Sequence, residues 1–305
     1  MIARLDSLRK HPSVFRHLTG LTIPAFETLV ADVVPVVDAA HRKTLDRPDR
    51  RRAIGAGGEF GLPTADQVLM AVVWLRQYPT QEVLGFLFGV SDSTALRAVR
   101  RCLPALDQAG RDTMRMPDPG AGRRKNLPAL LTDTPGLAVV IDSFEQRTHR
   151  PKRRQRAYYS GKKKAHTLKS QVGVDEESGR FVDVSDSVPG PWADIKLLKK
   201  SRLLKRLPKG VGGIGDLGYV GIADLHPEGL GAAPRKKPRG KDRPAEDRKY
   251  NRAFSRRRIV VEHAIGRLRR FRSVTHVNRH RRKGHAARVR AVAGLVNRML
   301  PTPTP

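Results

Sequence analysis

The chain has 305 residues, with 60 Lys and Arg against 29 Asp and Glu, for a formal net charge of +31. That excess points to a polyanionic partner, nucleic acid first; a ribosome-like or merely solubilising surface is the plain alternative. The single Cys102 excludes a disulfide framework and a cysteine zinc cluster, while a hydrophobic content of 39% is enough for a sizeable core.

No apolar run reaches the length of a membrane span, and Met1-Ile2-Ala3-Arg4-Leu5-Asp6 lacks the apolar core of a signal peptide. The expectation is a cytoplasmic protein that does not engage a membrane.

The first third reads as helical. Apolar residues recur at helical spacing from Pro24 to Ala40, opened by Thr22 and Pro24. His41 to Pro63 is basic and glycine-rich, with Arg50-Arg51-Arg52 and Gly55-Ala56-Gly57-Gly58, and reads as an exposed loop. Thr64 to Tyr78 is a helix buried on most of its surface. Two short helices follow. Thr80 and Glu82 open the first, which runs to about Phe88. Gly89-Val90-Ser91 forms the turn, and Ser91 or Asp92 caps the second helix, which turns Leu96, Val99 and Leu103 inward. Its other face carries Ser93, Thr94, Arg97, Arg100 and Arg101. This is helix-turn-helix spacing with a basic second helix suited to a DNA groove, although many helical hairpins share it without touching DNA. Cys102 reads as a small buried packing residue.

The chain turns polar around Pro117, Pro119 and Gly120, which suggests a division into a helical DNA-binding part (1–110, helix-turn-helix at about 80–103), a linker (111–130) and a catalytic domain (131–300). In the last part Leu137 to Ile141 is a continuous apolar run, the pattern of a central strand, ended by Asp142. Lys163 to Val174 and Arg180 to Val188 read as strands joined by a turn at Glu176 to Gly179. Trp192 to Leu207 reads as a helix, Val211 to Asp216 as a short strand, and Arg256 to Phe271 as a further helix. Strand, hairpin, helix, strand and late helix is the order of an RNase H-like mixed sheet with flanking helices: an α/β fold, here preceded by an all-α region.

Three acids stand out: Asp142, Asp216 within Gly215-Asp216-Leu217-Gly218-Tyr219, and Glu262. A carboxylate at the end of a buried strand is costly unless its charge is compensated. Three converging in a basic protein suggest a site for hard divalent cations acting on phosphodiesters. On a helical wheel Val261, Ala264, Ile265 and Leu268 share one stripe, and Arg258, Glu262 and Arg269 fall within about 40° of one another on its border. That arrangement suits a metal ligand between phosphate-binding cations, or else a plain Arg258–Glu262 salt bridge on a half-exposed helix. Taken singly, Asp142 also allows the plainer reading of a strand-end residue that caps a turn, and Asp216 that of a turn aspartate between Gly215 and Gly218, but the three acids occur in order on the expected elements. Asp194 reads as the cap of the helix beginning near Trp192 rather than as a ligand, and His166 and His263 as surface or phosphate-contacting residues. From Arg147 to Lys169 there are ten Lys and Arg and no acid, interleaved with Tyr158 and Tyr159. This run, with Lys162, Lys163 and Lys164 at its centre, reads as a surface tracking the DNA backbone close to the metal site. Arg235 to Arg243 lies in a proline-rich insertion expected to be disordered without DNA.

Several of these segments together resemble the DDE transposases of bacterial insertion sequences, most nearly the fifth insertion-sequence family. They are Asp142, Tyr159 to Lys169, Pro189-Gly190 followed by Asp194, Gly215 to Tyr219, and Val261 to Arg272. The resemblance covers roughly Leu18 to Leu300. The wider family often shows Tyr-x2-Arg-x3-Glu-x6-Lys around its last acid; here Arg258 and Glu262 match, Ser255 replaces Tyr and Arg269 replaces Lys. The resemblance implies Asp142, Asp216 and Glu262 as catalytic metal ligands for two Mg²⁺ ions, with Mn²⁺ as a substitute. It further implies cleavage at terminal inverted repeats, joining of the 3′ ends to target DNA, a homo-oligomer on double-stranded DNA and a nucleoid-associated location. The residues alone suggest a metal-dependent nuclease. A nuclease without strand transfer and an inactive DNA-binding relative are the alternatives.

Overall fold

The computed structural model describes residues 3–46, 61–120 and 127–301. The Arg50 to Arg52 and Gly55 to Gly58 runs lie outside the described residues, as does the middle of the expected linker. Six helices come first: α1 (Leu5–Arg9), α2 (Pro12–Thr19), α3 (Ile23–Leu45), α4 (Thr64–Gln77), α5 (Gln81–Phe88) and α6 (Asp92–Asp112). Local chemistry sets their ends. Thr22 accepts the amide of Ala25, Thr80 that of Val83 and Ser91 that of Thr94, each satisfying an orphan donor of a first turn. Gly89 closes α5 in the left-handed region at φ 65°. Two of these helices outrun their sequence patterns: α3 continues to Leu45, and α6 runs through Pro104 to Asp112.

The α/β part holds strands β1 (Ala138–Arg147), β2 (Tyr159–Ser160), β3 (Ala165–Asp175), β4 (Phe181–Val184), β5 (Val188–Pro189), β6 (Gly212–Ile214) and β7 (Gly231–Ala232). Helices α7 (Gln155–Tyr158), α8 (Asp194–Ser201), α9 (Ile222–Leu225), α10 (Ala245–Arg269), α11 (Arg272–Thr275) and α12 (His285–Arg298) accompany them. The sheet is mixed, in the order β2-β3-β1-β6-β7, with β4 and β5 also on β3. β1 is antiparallel to β3 and parallel to β6. Alternation along β1 splits its side chains between two cores. Ala138, Val140 and Phe144 join Val261, Ala264 and Leu268 of α10, while Val139 and Ile141 join Leu198 of α8 and Tyr219.

Several expected elements differ; the strand expected from Arg180 to Val188 divides into β4 and β5, each paired separately with β3. β1 does not end at Asp142 but continues to Arg147, because β3 pairs with it as far as Thr167. The helix expected from Trp192 to Leu207 breaks at Arg202, which takes φ 55°, so α8 is short and a 3-10 turn over Leu203–Arg206 follows. α10 starts at Ala245, ahead of the expected Arg256, because Tyr250 and Phe254 extend its buried face. The basic insertion before it is held at Arg235, whose guanidinium meets Asp247 at 3.2 Å and lies 4.1 Å over the Tyr250 ring.

The helical part and the sheet share one hydrophobic core. α12 joins them. Arg290 binds Asp107 of α6 at 2.7 Å and Asp186 at 3.0 Å, and Asn297 bridges Thr113 and Phe181. No single helix among the described residues is long and apolar enough to cross a membrane.

The α6–α12 crossing needs glycine on both sides. A Cβ on Gly294 would stand 2.2 Å from Gly110 Cα, and one on Gly110 would stand 2.6 Å from the Arg290 carbonyl oxygen. Gly294→Ala should therefore force the helices apart and cost about 1–3 kcal/mol. Urea unfolding should show this as a lowered midpoint; an unchanged midpoint would mean the crossing relaxes freely.

Candidate active site

Parallel pairing brings the first two acids together. Ala138, Val139 and Val140 pair with Gly212, Gly213 and Ile214, and there β6 stops. Carried two residues further, the same register sets Asp142 level with Asp216. The chain leaves β6 through Gly215, where a Cβ would lie 2.7 Å from the Tyr219 ring, so the glycine lets that ring pack over the backbone. Asp216 then caps the 3-10 turn Leu217–Tyr219, its Oδ1 accepting the Gly218 amide at 2.8 Å. Asp142 accepts the amide of Ser143 at 2.7 Å.

The site is crowded with negative charge. Burial pushes the Asp142 carboxyl up to about 6; the Ser143 amide and the Arg258 guanidinium oppose that rise, and the Asp216 and Asp194 carboxylates reinforce it. The buried Tyr219 hydroxyl is raised well above its ordinary value by burial and by Asp194, Asp142 and Asp216. Arg258 of α10 approaches Asp142 at 3.9 Å, and its Nε is buried without a partner among the described residues. Oxygen donors around a partly buried, under-neutralised carboxylate are the chemistry that hard divalent cations require, so Asp142 and Asp216 fit such an ion.

Glu262 lies on the helix that carries Arg258. It is exposed on α10, one turn beyond Arg258 and on the same face. The described residues contain no group of three or more His, Cys, Asp or Glu side chains arranged to hold a metal. Arg269 is exposed near the C-terminal end of α10. Asp194 does not cap α8: the N-cap is Ala193, and the Asp194 carboxylate turns into the sheet instead. Its Oδ1 accepts from Ser143 Oγ at 2.6 Å and from Lys169 Nζ at 2.9 Å. Asp194 is the site residue that sequence reasoning missed; its one signal was the Pro189-Gly190 turn ahead of it. At Gly190 a Cβ would fall 1.7 Å from Thr167 Oγ1, so that turn lies directly against β3.

In the helix-turn-helix, Ser93, Arg97 and Arg100 are exposed. Thr94 is half-buried, its hydroxyl held by Ser91 at 2.9 Å, and Arg101 donates to Gln67 at 2.6 Å. Cys102 is fully buried, and burial pushes its thiol up to about 12. Lys162, Lys163 and Lys164 are exposed in the turn between β2 and β3. That turn is not beside Asp142. Asp142 faces Val172, so the turn lies beyond seven strand residues, about 20 Å or more away. Lys169 is 8% exposed and committed to Asp194, so it leaves the expected backbone-tracking run. Between the two ends an open pocket of about 670 Å³ is lined by Tyr78, Arg147, His149, His276 and Arg279 among others.

Comparison with known proteins identifies the family. The family described as DDE superfamily endonuclease matches residues 141–297, and the helix-turn-helix of DDE superfamily endonuclease matches residues 61–112. The chain is 30% identical over 283 residues to the probable transposase for insertion sequence element IS702 of Microchaete diplosiphon, covering 93% of each chain. No solved structure matches.

Gly218 sits between two carboxylates. A Cβ there would lie 2.7 Å from Asp194 Oδ2 and 3.0 Å from Asp216 Oδ1. Gly218→Ala should displace Asp216 and weaken Mn²⁺ binding to the DNA-free protein by about 10- to 100-fold. Calorimetric titration would read this, and parent-like affinity would show that Asp216 does not hold the cation.

Proposed function

Because this chain belongs to the DDE superfamily endonucleases and carries their helix-turn-helix, we propose that it is a transposase that binds the ends of its insertion sequence, cuts there and joins the 3′ ends to target DNA. The observation that carries this reading is the meeting of Asp142 and Asp216 where β6 ends, with Arg258 facing them. The functional division follows residues 1–110, 111–130 and 131–300. DNA recognition belongs to the first part and chemistry to the last, in a cytoplasmic, nucleoid-associated homo-oligomer on double-stranded DNA.

Asp142 and Asp216 would hold the metal, with Glu262 as the third acid; the proposed complement is two Mg²⁺ ions, replaceable by Mn²⁺. Bound there, such ions supply Lewis-acid stabilisation of the charge that builds up around phosphorus in an in-line displacement. The protein's own groups do the rest. Burial and the neighbouring Asp216 and Asp194 carboxylates raise Asp142 to about 6, a cost to its charged form that a bound cation would offset. Arg258 opposes Asp142 only loosely, at 3.9 Å through a terminal guanidinium nitrogen, so a scissile phosphate can take that group over from the carboxylate. The exposed Ser93, Arg97 and Arg100 present α6 to the DNA groove. Lys162 to Lys164 meet the backbone away from the cut, about 20 Å or more along β3 from Asp142.

Asp142→Ala, Asp216→Ala and Glu262→Ala should each abolish strand cleavage of the element's ends while leaving DNA binding intact. Cleavage equal to that of the parent in any one purified variant removes that residue from the site. A nuclease without strand transfer would cut the same ends and give no joined product.

Binding separates the two DNA-contacting surfaces. Arg97→Ala should weaken binding to the ends more than to random DNA. Replacing Lys162, Lys163 and Lys164 with Gln should weaken both equally and flatten the slope of log K against log salt by about 0.9 per lost phosphate contact. An unchanged slope would make those lysines a solvated face.

A further inference from the structure

Asp194 lies within the site, yet the reading above gives it no task. We propose that Asp194, clamped by Lys169 and Ser143, is a positioning residue that sets where Asp142 and Asp216 stand; this rests on the reading of those acids as the cleavage site. Its two oxygens are used differently. Oδ1 takes both clamping bonds, from Ser143 Oγ at 2.6 Å and Lys169 Nζ at 2.9 Å. Oδ2 faces Gly218, as does Asp216 Oδ1 from the other side.

Each bond leads to a site acid. Ser143 links two carboxylates: its amide donates to Asp142 and its hydroxyl to Asp194. Anchoring the hydroxyl therefore fixes the residue whose amide sets the Asp142 side chain. On the other side the Gly218 amide holds Asp216, and Asp194 Oδ2 limits where Gly218 can move. The buried Tyr219 ring packs on the same face, in the core with Val139 and Ile141.

Lys169 makes the clamp stiff. It is 8% exposed and donates to the Trp192 carbonyl at 2.6 Å as well as to Asp194, so it ties the segment entering α8 to β3. Gln171, two residues along the same face of β3, donates to Ser201 at 3.2 Å and holds the other end of α8. A buried lysine whose charge is answered by one carboxylate fixes that carboxylate more firmly than a surface pair could. It also cancels one negative charge, which keeps the cluster of Asp142, Asp194 and Asp216 from repelling itself apart.

The test uses the full-length chain and two readouts: strand cleavage, and Mn²⁺ affinity of the DNA-free protein by calorimetry, with thermal melting alongside. Lys169→Met should lower cleavage about 10- to 100-fold yet leave Mn²⁺ affinity equal or tighter, because a cation has left the carboxylates. Asp194→Asn should lower cleavage by a similar factor but weaken Mn²⁺ binding, because it strands Lys169 beside them. Ser143→Ala, a change small enough to fold, should lower cleavage with Mn²⁺ affinity nearly unchanged. The opposed shifts in Mn²⁺ affinity are the signature of the clamp. Parent-like cleavage in both Lys169→Met and Asp194→Asn overturns it. So do parallel losses of cleavage, Mn²⁺ affinity and melting temperature in all three variants, which would mark a purely structural pair. Opposed shifts in a protein whose parent cuts no DNA uphold the clamp beside a cation site and overturn the nuclease reading instead.

Discussion

The chemistry of this protein depends on two neighbouring strands having different lengths. β1 pairs with β3 from Val139 to Arg147, but with β6 only as far as Val140 and Ile214. Past that point β1 is still rigidly held on one side and open on the other. Asp142 and Ser143 emerge at the opening, and because the pairing is parallel, Asp216 leaves β6 at the same level. Crevices at the carboxyl ends of parallel strands are where α/β sheets place their ligands, and the cause here is visible in the register. The strand's alternation then divides the work. Asp142 points to the α10 face and meets Arg258, while Ser143 points to the α8 face and meets Asp194.

A chain carrying +31 charges must sort its cations by place. Several buried ones are committed to partners inside the fold: Arg257 to Glu176 at 2.6 Å, Arg290 to Asp107 at 2.7 Å and Asp186 at 3.0 Å, and Lys169 to Asp194 at 2.9 Å. Breaking such a pair strands a buried charge at a cost of about 3–5 kcal/mol, so these residues serve the fold first. The exposed ones, Arg97 and Arg100 on α6 and Lys162 to Lys164 at the β2–β3 turn, keep their charge for an outside polyanion. Arg258 falls between these groups, partly buried and only loosely opposed, as suits a group that can exchange a carboxylate for a phosphate.

Features written in local chemistry were legible in the sequence. Thr80, Gly89 and Ser91 specify the two helices and their turn through caps and one left-handed glycine, and none of that needs a tertiary partner. The apolar run before Asp142 and the glycines around Asp216 were legible for the same reason. What escaped was set by distant contacts. Residues 143–147 show too little apolar alternation to announce a strand; β3 makes them one. Tyr250 and Phe254 are diluted among charged residues, and their shared buried face shows only once α10 is packed. Asp194 looked like a helix cap because caps are common, and only Lys169, 25 residues away, reveals its other use. Glu262 was legible as a helical acid near Arg258, but its helix face sets only its neighbourhood, and its side chain is exposed.

The shared core adds a constraint that a chain of independent domains would lack. α6, which presents Arg97 and Arg100, is locked to α12 through the Gly110–Gly294 crossing and the Arg290–Asp107 pair. α12 in turn is fastened to the sheet at Phe181 through Asn297, and Arg290 reaches Asp186 in the segment after β4. Moving the DNA-reading helix relative to Asp142 would therefore open a glycine crossing and unpair a buried arginine together. On the proposed assignment of DNA reading to α6 and cleavage to Asp142 and Asp216, the distance from recognition to cleavage is therefore set by the protein's own packing.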